Sequence, residues 1–223
     1  MRLIKRVFCF LVCVGLLATA ANAGSVILYN NLSASTEDYD EISDSIFGPL
    51  SDSFSTGASS VRLTDVKVLL ELFGSPTGSV TVSLLSSNET TMPYPSPGST
   101  LLSIGTVSDT SIPPVPLHTP TVVDVPVPSY SLAANTRYWI QLGSTNGSTA
   151  GWDFSLDTSG TGVASEYFAN PKFGVTPNLG NDPYQMQVSG FTGTIPEPTS
   201  VVLLGVGIGG IIVVSRFRKR RAA

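Results

Sequence analysis

Cysteine and histidine are scarce in this chain, and their scarcity narrows its chemistry. The 223 residues include two cysteines and one histidine. Cys9 and Cys13 lie within the first 23 residues, and His118 lies in a proline-rich segment where we expect a loop. In the rest of the chain we therefore expect no disulfide, no cysteine nucleophile and no zinc site built from nitrogen and sulfur ligands.

Positive charge is scarce between residues 24 and 195. This segment holds 15 Asp and Glu residues against four basic residues, so its net charge is about −11, whereas the whole chain carries −4. Such an acidic surface repels phosphate backbones and anionic lipid headgroups. We therefore expect no nucleic-acid partner and no membrane-surface binding for this segment.

The sequence motifs of common enzymes are also missing. Outside an apolar run near the C-terminus, the chain has no G-x-S-x-G motif, no Walker loop and no G-x-G-x-x-G motif. We expect no catalytic residues and no cofactor. A pair of carboxylates for glycoside cleavage remains the enzymatic alternative, because spacing in sequence does not give the separation of two side chains across a sheet.

The chain begins with the pattern of a Sec export signal at residues 1–23. Three basic residues precede an apolar core at residues 7–18, and Ala21-Asn22-Ala23 forms an A-x-A cleavage site before Gly24. Cleavage there would remove both cysteines. A first transmembrane helix is the alternative, but the 12-residue core is shorter than the roughly 20 residues that cross a bilayer.

Residues 196–223 combine three features in a fixed order. The triplet Pro196-Glu197-Pro198 precedes an apolar run at residues 201–214 that contains no charge. Residues 199–215 are just long enough for a transmembrane helix across a thin bilayer. Basic residues follow immediately and would hold this end in the cytoplasm by attraction to anionic inner-membrane lipid. They are Arg216, Arg218, Lys219, Arg220 and Arg221.

This tail resembles the PEP-CTERM sorting signal of Gram-negative bacteria. In that family an exosortase, which is a membrane enzyme, is thought to remove the tail and pass the protein toward the cell surface. The resemblance implies a bacterium that makes exopolysaccharide. An ordinary single-pass anchor with a proline-rich stalk is the alternative.

Between the two hydrophobic ends, the pattern of residues 24–195 is all-β. It shows short β-favouring runs separated by glycine and proline, without a long helical period. The spacing predicts nine or ten strands in one domain, an antiparallel β-sandwich or jelly-roll-like fold. Short strands are expected at residues 25–29, 52–55, 101–107, 167–168 and 184–188.

The strongest strand is predicted at residues 61–73, where Val66, Val68 and Leu70 share one face. Val61 and Leu63 have the opposite parity, which predicts a bulge near Thr64-Asp65. Residues 80–84 are expected to form a hairpin with this strand.

Two proline-rich segments interrupt the alternating pattern. Residues 88–100 are predicted to form a long surface loop. Residues 121–127 are predicted to be an edge strand or irregular extended chain, because Pro126 cannot donate a backbone hydrogen bond.

A strand around residues 137–142 is predicted to turn back at residues 144–151 into a strand that carries Trp152. Tyr138, Ile140 and Leu142 would share one face, and Trp139 would lie on the other.

Three segments of this body, residues 48–57, 134–140 and 184–190, look like bacterial choice-anchor surface domains, most similarly the R type. These domains occur with interchangeable C-terminal sorting signals, the PEP type among them. The resemblance covers nearly all of residues 26–192. It implies a location and an architecture, without a known activity or catalytic residues.

Two groups of residues are candidates for ligand binding. Burial of Trp139 and Trp152 in the core is the simpler interpretation of the two tryptophans. The alternative is that Trp139, with Trp152 on a neighbouring strand, forms an exposed platform that stacks on sugars. An acidic cluster at residues 37–44, expected in a loop, supplies hard oxygen ligands suited to calcium, although it lacks the glycine of an EF-hand loop. A solvated acidic loop is the simpler interpretation.

These observations together predict a non-enzymatic exported surface or matrix protein that the Sec machinery exports and an exosortase sorts. We expect it to be anchored briefly in the inner membrane with its C-terminus in the cytoplasm, and then to reach the cell surface, where exopolysaccharide is a potential partner. A carbohydrate- or calcium-binding adhesion module is the alternative.

Overall fold

The computed structural model describes residues 24–43, 47–90, 93–113 and 119–192. Several predicted features lie outside these residues: the export signal, Asp44, His118, the Pro196-Glu197-Pro198 triplet, the helix at residues 199–215 and the basic residues after it. Within the part of the chain that is described, no helix is long and apolar enough to cross a membrane.

Gly24–Thr192 forms one compact unit, in which twelve strands run through the described ranges. They are β1 Gly24–Asn30, β2 Asp38–Glu41, β3 Leu50–Ser55, β4 Val61–Leu72, β5 Ser79–Asn88, β6 Ser96–Ser108, β7 Thr121–Leu132, β8 Arg137–Thr145, β9 Ala150–Phe154, β10 Tyr167–Asn170, β11 Gly174–Pro177 and β12 Met186–Thr192. Short 3-10 turns occur at Asp109–Ser111 and Val163–Ser165.

The strands form two six-stranded sheets. Sheet A has the order β1-β12-β4-β9-β2, with β7 also paired to β4, and sheet B has the order β11-β10-β3-β8-β5-β6. Every pairing between strands is antiparallel. The predicted all-β, antiparallel class is therefore confirmed, and the two sheets are compatible with a β-sandwich.

β4 is the central strand of sheet A and pairs with β7, β9 and β12. Val66, Val68 and Leu70 are completely buried, as the alternation predicted. Val61 and Leu63 are also buried, and in the pairing with β12 the two steps from Leu63 to Asp65 match the single step from Gly190 to Ser189. The predicted bulge is therefore confirmed, and it lets both halves of β4 contribute to the core.

One hydrophobic core joins the two sheets. Val66 and Val68 of sheet A pack in the same cluster as Val82 and Leu84 of sheet B. Aromatic rings extend this cluster, with Trp152 stacked on Tyr184 at 4.7 Å between ring centroids and Phe168 meeting Tyr184 edge-on at 5.7 Å. As predicted, Tyr138, Ile140 and Leu142 of β8 all face this core.

Both predicted hairpins around the long strands are wrong. β4 lies in sheet A, whereas β5 pairs with β6 and β8 in sheet B. β8 and β9 are likewise in different sheets. A period of two shows which residues share a face of one strand, but it does not show whether the next strand continues the same sheet or crosses to the other one.

The two proline-rich segments contain more strand than the sequence predicted. Residues 88–100 were expected to be a loop, but β6 begins at Ser96, and Pro97 lies opposite Ser87 of β5. β7 continues through Pro126 and pairs with β4. Both strands lie at sheet edges, where an outward-facing proline removes no ladder hydrogen bond, so the edge prediction for residues 121–127 is confirmed.

Candidate functional site

Both tryptophans are completely buried. Trp139 packs against Leu85 and Ala169 in a small cluster on the face of sheet B opposite the main core, and its Nε1 donates to Ser87 Oγ at 3.1 Å. Trp152 lies in the main core, and its Nε1 donates to the Gln185 carbonyl at 3.0 Å. The simpler interpretation, that both indoles are buried, is therefore confirmed. The alternative of an exposed platform is wrong, because neither indole presents a face to solvent and the two lie in different sheets.

The acidic segment at residues 37–44 is largely a strand, β2, and its side chains do not converge. Asp38 Oδ1 accepts a hydrogen bond from the backbone N–H of the next residue, Tyr39, at 3.0 Å. Asp40 points the other way from Tyr39 and is held by core residues. Among the described residues, no three His, Cys, Asp or Glu side chains gather where they could hold a metal ion. The calcium loop predicted here is therefore not formed by the part of the cluster that the structure describes.

A cleft of about 590 Å³ is the candidate site that the structure does show. We call it the aromatic-acid cleft, because four phenylalanine rings and two aspartates line it together with amide, hydroxyl and ammonium groups. β2 and β9 of sheet A and β10 and β11 of sheet B all contribute to it. The lining residues are Asp40, Phe47, Phe154, Phe168, Asn170, Lys172, Phe173, Thr176, Asn181 and Asp182.

A hydrogen-bonded triad fixes the inner end of this cleft. The Tyr184 hydroxyl donates to Asp40 Oδ2 at 2.6 Å, and Asn170 Nδ2 donates to the same oxygen at 3.2 Å. Asn170 Oδ1 accepts the backbone N–H of Phe173 at 2.8 Å, which ties the β10–β11 turn to the triad. Burial raises the pKa of Asp40, and the bond from Tyr184 and the charge of Lys172 only partly oppose that rise.

Aromatic rings and one ammonium group form the mouth of the cleft. Lys172 Nζ lies 4.4 Å from the centre of the Phe47 ring and 4.9 Å from the centre of the Phe173 ring. These are cation–π distances, so the lysine helps to position both rings. The Phe173 side chain is 62% exposed. An exposed ring beside amide and carboxylate groups can pack on the apolar face of a small ligand while those groups bond its polar edge.

Arg137 lines a second cavity, of about 540 Å³. The positive charge of its guanidinium is already neutralised by two carboxylates. Arg137 Nε lies 2.8 Å from Glu166 Oε2, and its Nη1 lies 3.1 Å from Glu89 Oε2. The guanidinium also lies 5.0 Å from the centre of the Tyr167 ring. These contacts occupy the guanidinium, so the aromatic-acid cleft is the better candidate for ligand binding.

The cleft was not predicted from the sequence, because only the tryptophans were considered as aromatic binding residues. The Lys172-Phe173 pair could have indicated the site. It lies in a short turn between two strands, where a large apolar side chain is not expected to be buried in the core. Phe47 and Asp182, distant in sequence, join it only through the fold.

No protein-family model matches the chain, and no curated protein matches it either.

Proposed function

We propose that the chain is a non-enzymatic exported surface or extracellular-matrix protein that an exosortase sorts through its C-terminal signal. The observation that supports this proposal is the order of three features at the end of the sequence: the Pro196-Glu197-Pro198 triplet, the uncharged run at residues 201–214 and five basic residues after it. The triplet alone is common. The three together, at close spacing, are typical of the PEP-CTERM signal.

The energetics of the tail favour transient anchoring. Its ten Val, Leu and Ile residues each contribute about −0.3 to −0.6 kcal/mol to insertion at a bilayer centre, so the run gains at most about 3 to 6 kcal/mol. Four glycines in the run reduce this gain. A marginal anchor suits a segment that is removed after it has delivered the protein.

The fold of residues 24–192 is compatible with an extracytoplasmic location. Its core is built from packed side chains of two sheets and includes no cysteine. Folding of this body therefore needs no disulfide, whichever redox conditions surround it. Sec export followed by inner-membrane anchoring would place it on the outer side, with the basic C-terminus in the cytoplasm.

Replacing the acidic residue of the triplet tests the sorting proposal. We expect Glu197→Gln to leave full-length protein in the inner membrane, because the exosortase would no longer recognise its motif. Glu89→Gln, which changes an exposed carboxylate of the body, is the matched control and should be processed normally. Immunoblots of membrane and surface fractions measure both, and normal surface delivery of Glu197→Gln would contradict the proposal.

The aromatic-acid cleft favours a second candidate function, a carbohydrate-binding adhesion module. Its volume falls within the range of small-molecule sites, roughly 300 to 1,000 Å³. Phe173 offers an exposed ring, while Asp182, Asn181 and Thr176 offer hydrogen-bonding groups beside it. A neutral sugar has both an apolar C–H face and a ring of hydroxyls, so it matches this lining better than an anionic one does.

A glycan array on the released protein tests this second function. We expect binding to a neutral glycan that is lost in Phe173→Ala and kept in Phe191→Ala, which removes a partly exposed phenylalanine on β12 of sheet A. Equal binding by both variants would contradict the cleft as the binding site. Release of reducing ends from a bound glycan, lost in Asp40→Asn, would contradict the non-enzymatic proposal.

A further inference from the structure

Two buried carboxylates lie near each other on the outer face of sheet A. Glu71 of β4 is opposite Gly151 of β9, and Asp153 follows two residues later on the same face of β9. The exposed fractions of Glu71 and Asp153 are 2% and 0%. Both carboxylate oxygens of Asp153 are buried and have no hydrogen-bond partner in the part of the chain that the structure describes.

An aromatic lid covers these carboxylates. Tyr39 of β2 lies opposite Asp153 in the ladder, and its ring rests on Gly151, where a methyl group would overlap it. The same ring stacks on Phe73 with 5.7 Å between centroids. Gly151 therefore makes room for the lid, and the lid reduces contact between the carboxylates and bulk water.

Within the described residues, the charges that shift the pKa values of Tyr39 and Asp153 are negative. Burial and then the charges of Glu71, Glu41, Asp38 and Asp153 raise the pKa of Tyr39. Burial, followed by the charges of Glu71 and Asp38, raises the pKa of Asp153 to about 8. Lys67 of the same sheet pairs instead with Asp65 at 3.7 Å and Asp124 at 3.8 Å.

An unpaired buried carboxylate is unfavourable unless a proton or a metal ion neutralises it. Among the described residues, the two oxygens of Asp153 have no hydrogen bond, so a negative charge there would lack a partner. Carboxylate oxygens are the ligands that hard divalent cations prefer, and calcium accepts them in a flexible geometry. We propose that Glu71 and Asp153 bind a divalent cation of the Ca²⁺ type beneath Tyr39 on the outer face of sheet A.

This site differs from the calcium loop that the sequence predicted. Its two ligands come from β4 and β9, and Asp38 and Glu41 of β2 contribute only their nearby negative charge. With two protein carboxylates, the affinity is expected to be weak, with a Kd on the order of 10⁻⁴ to 10⁻³ M, as in extracellular calcium modules. Millimolar calcium outside a cell would occupy it.

Thermal unfolding of the full-length chain, purified in detergent, tests the proposal. In 10 mM CaCl₂ after EDTA treatment, the wild type should gain about 3 to 5 °C in Tm if the Kd is about 1 mM. Asp153→Asn should lose this gain, whereas Asp124→Asn, which changes an exposed carboxylate of the same sheet, should keep it. An equal gain in Asp153→Asn, or no gain in the wild type, would overturn the proposal.

Calorimetric titration with CaCl₂ provides a measurement that does not depend on unfolding. The wild type should bind one ion per chain with a Kd within the range above, and Glu71→Gln should weaken binding at least tenfold. This second variant keeps the test decisive if Asp153→Asn does not fold. Unchanged binding by Glu71→Gln would exclude the site.

Discussion

Asp52 is a buried carboxylate that the fold satisfies with hydrogen bonds. It is completely buried in β3, and its oxygens accept from the backbone N of Tyr184 at 2.9 Å, Asn178 Nδ2 at 3.1 Å and the Tyr29 hydroxyl at 3.3 Å. Burial nonetheless raises the pKa of Asp52 well above its usual value, and the charge of Glu166 adds to the rise. The hydrogen bonds only partly offset desolvation.

This raised pKa makes stability depend on pH. Folded Asp52 binds a proton more readily than unfolded Asp52, so its contribution to the free energy of unfolding is complete below pH 3.8 and is lost progressively as pH rises toward the folded pKa. Asp52→Asn removes this titration. Urea unfolding between pH 4 and 8 should show the wild type losing stability relative to the variant, by at most about 1.4 kcal/mol per pH unit. A relative gain with rising pH would contradict the assignment; Asp124→Asn is the exposed control.

Trp139 is expected to matter for stability rather than for binding. Because its indole is completely buried and donates to Ser87, Trp139→Ala should lower the free energy of unfolding by about 3 to 5 kcal/mol. Trp139→Phe should cost less, since it keeps most of the packing. Urea unfolding measures both variants. A loss of glycan binding by folded Trp139→Phe, without loss of stability, would instead indicate an exposed platform.

At the scale of single elements, β4 depends on its bulge. Three strands pair with β4, and the register shift at Thr64 brings Val61 and Leu63 onto the same side as Val66 and Val68. The bulge therefore keeps an irregular hydrophobic pattern compatible with one core.

Deleting Thr64 should leave Val61 and Leu63 on the core side of β4, because Leu63 would then stand two residues before Val66 in regular alternation. Deleting Lys67, in the regular half of β4, is the matched comparison. It would place Val66 and Val68 on opposite faces, so at least one of their side chains should leave the core at a cost of about 1.5 to 3 kcal/mol. Chemical denaturation compares the two variants. A loss of stability as large for the Thr64 deletion as for the Lys67 deletion would contradict the bulge.

At the scale of the whole molecule, charge is distributed very unevenly. The body from residue 24 to 195 carries about −11, whereas the last eight residues carry five basic side chains. Attraction of these residues to anionic lipid contributes about 1 kcal/mol each. The positive end is therefore expected to orient the marginal apolar run of the tail.

Replacing Arg216, Arg218, Lys219, Arg220 and Arg221 with Ser should weaken that orientation. Without about 5 kcal/mol of attraction to the cytoplasmic leaflet, part of the protein should insert the wrong way or fail to be retained. Protease protection of a C-terminal epitope in spheroplasts measures the orientation. Replacing Arg62 and Lys67 of the body with Ser is the control and should leave it unchanged; intact topology in the tail variant would contradict the prediction.

The sequence by itself determined the all-β class, the faces of β4 and β8, the bulge at Thr64 and the edge position of residues 121–127. Each of these follows from alternation with a period of two or from the missing N–H of proline, which are properties of neighbouring residues. Only the tertiary structure decided that β4 and β5, and likewise β8 and β9, belong to different sheets. It also buried Trp139 beneath Leu85 and Ala169, joined Phe47 and Phe173 in one cleft, and placed Glu71 near Asp153. The physical reason is that pairing between strands and packing between sheets involve residues far apart in the chain, and local alternation is the same whichever sheet a strand joins.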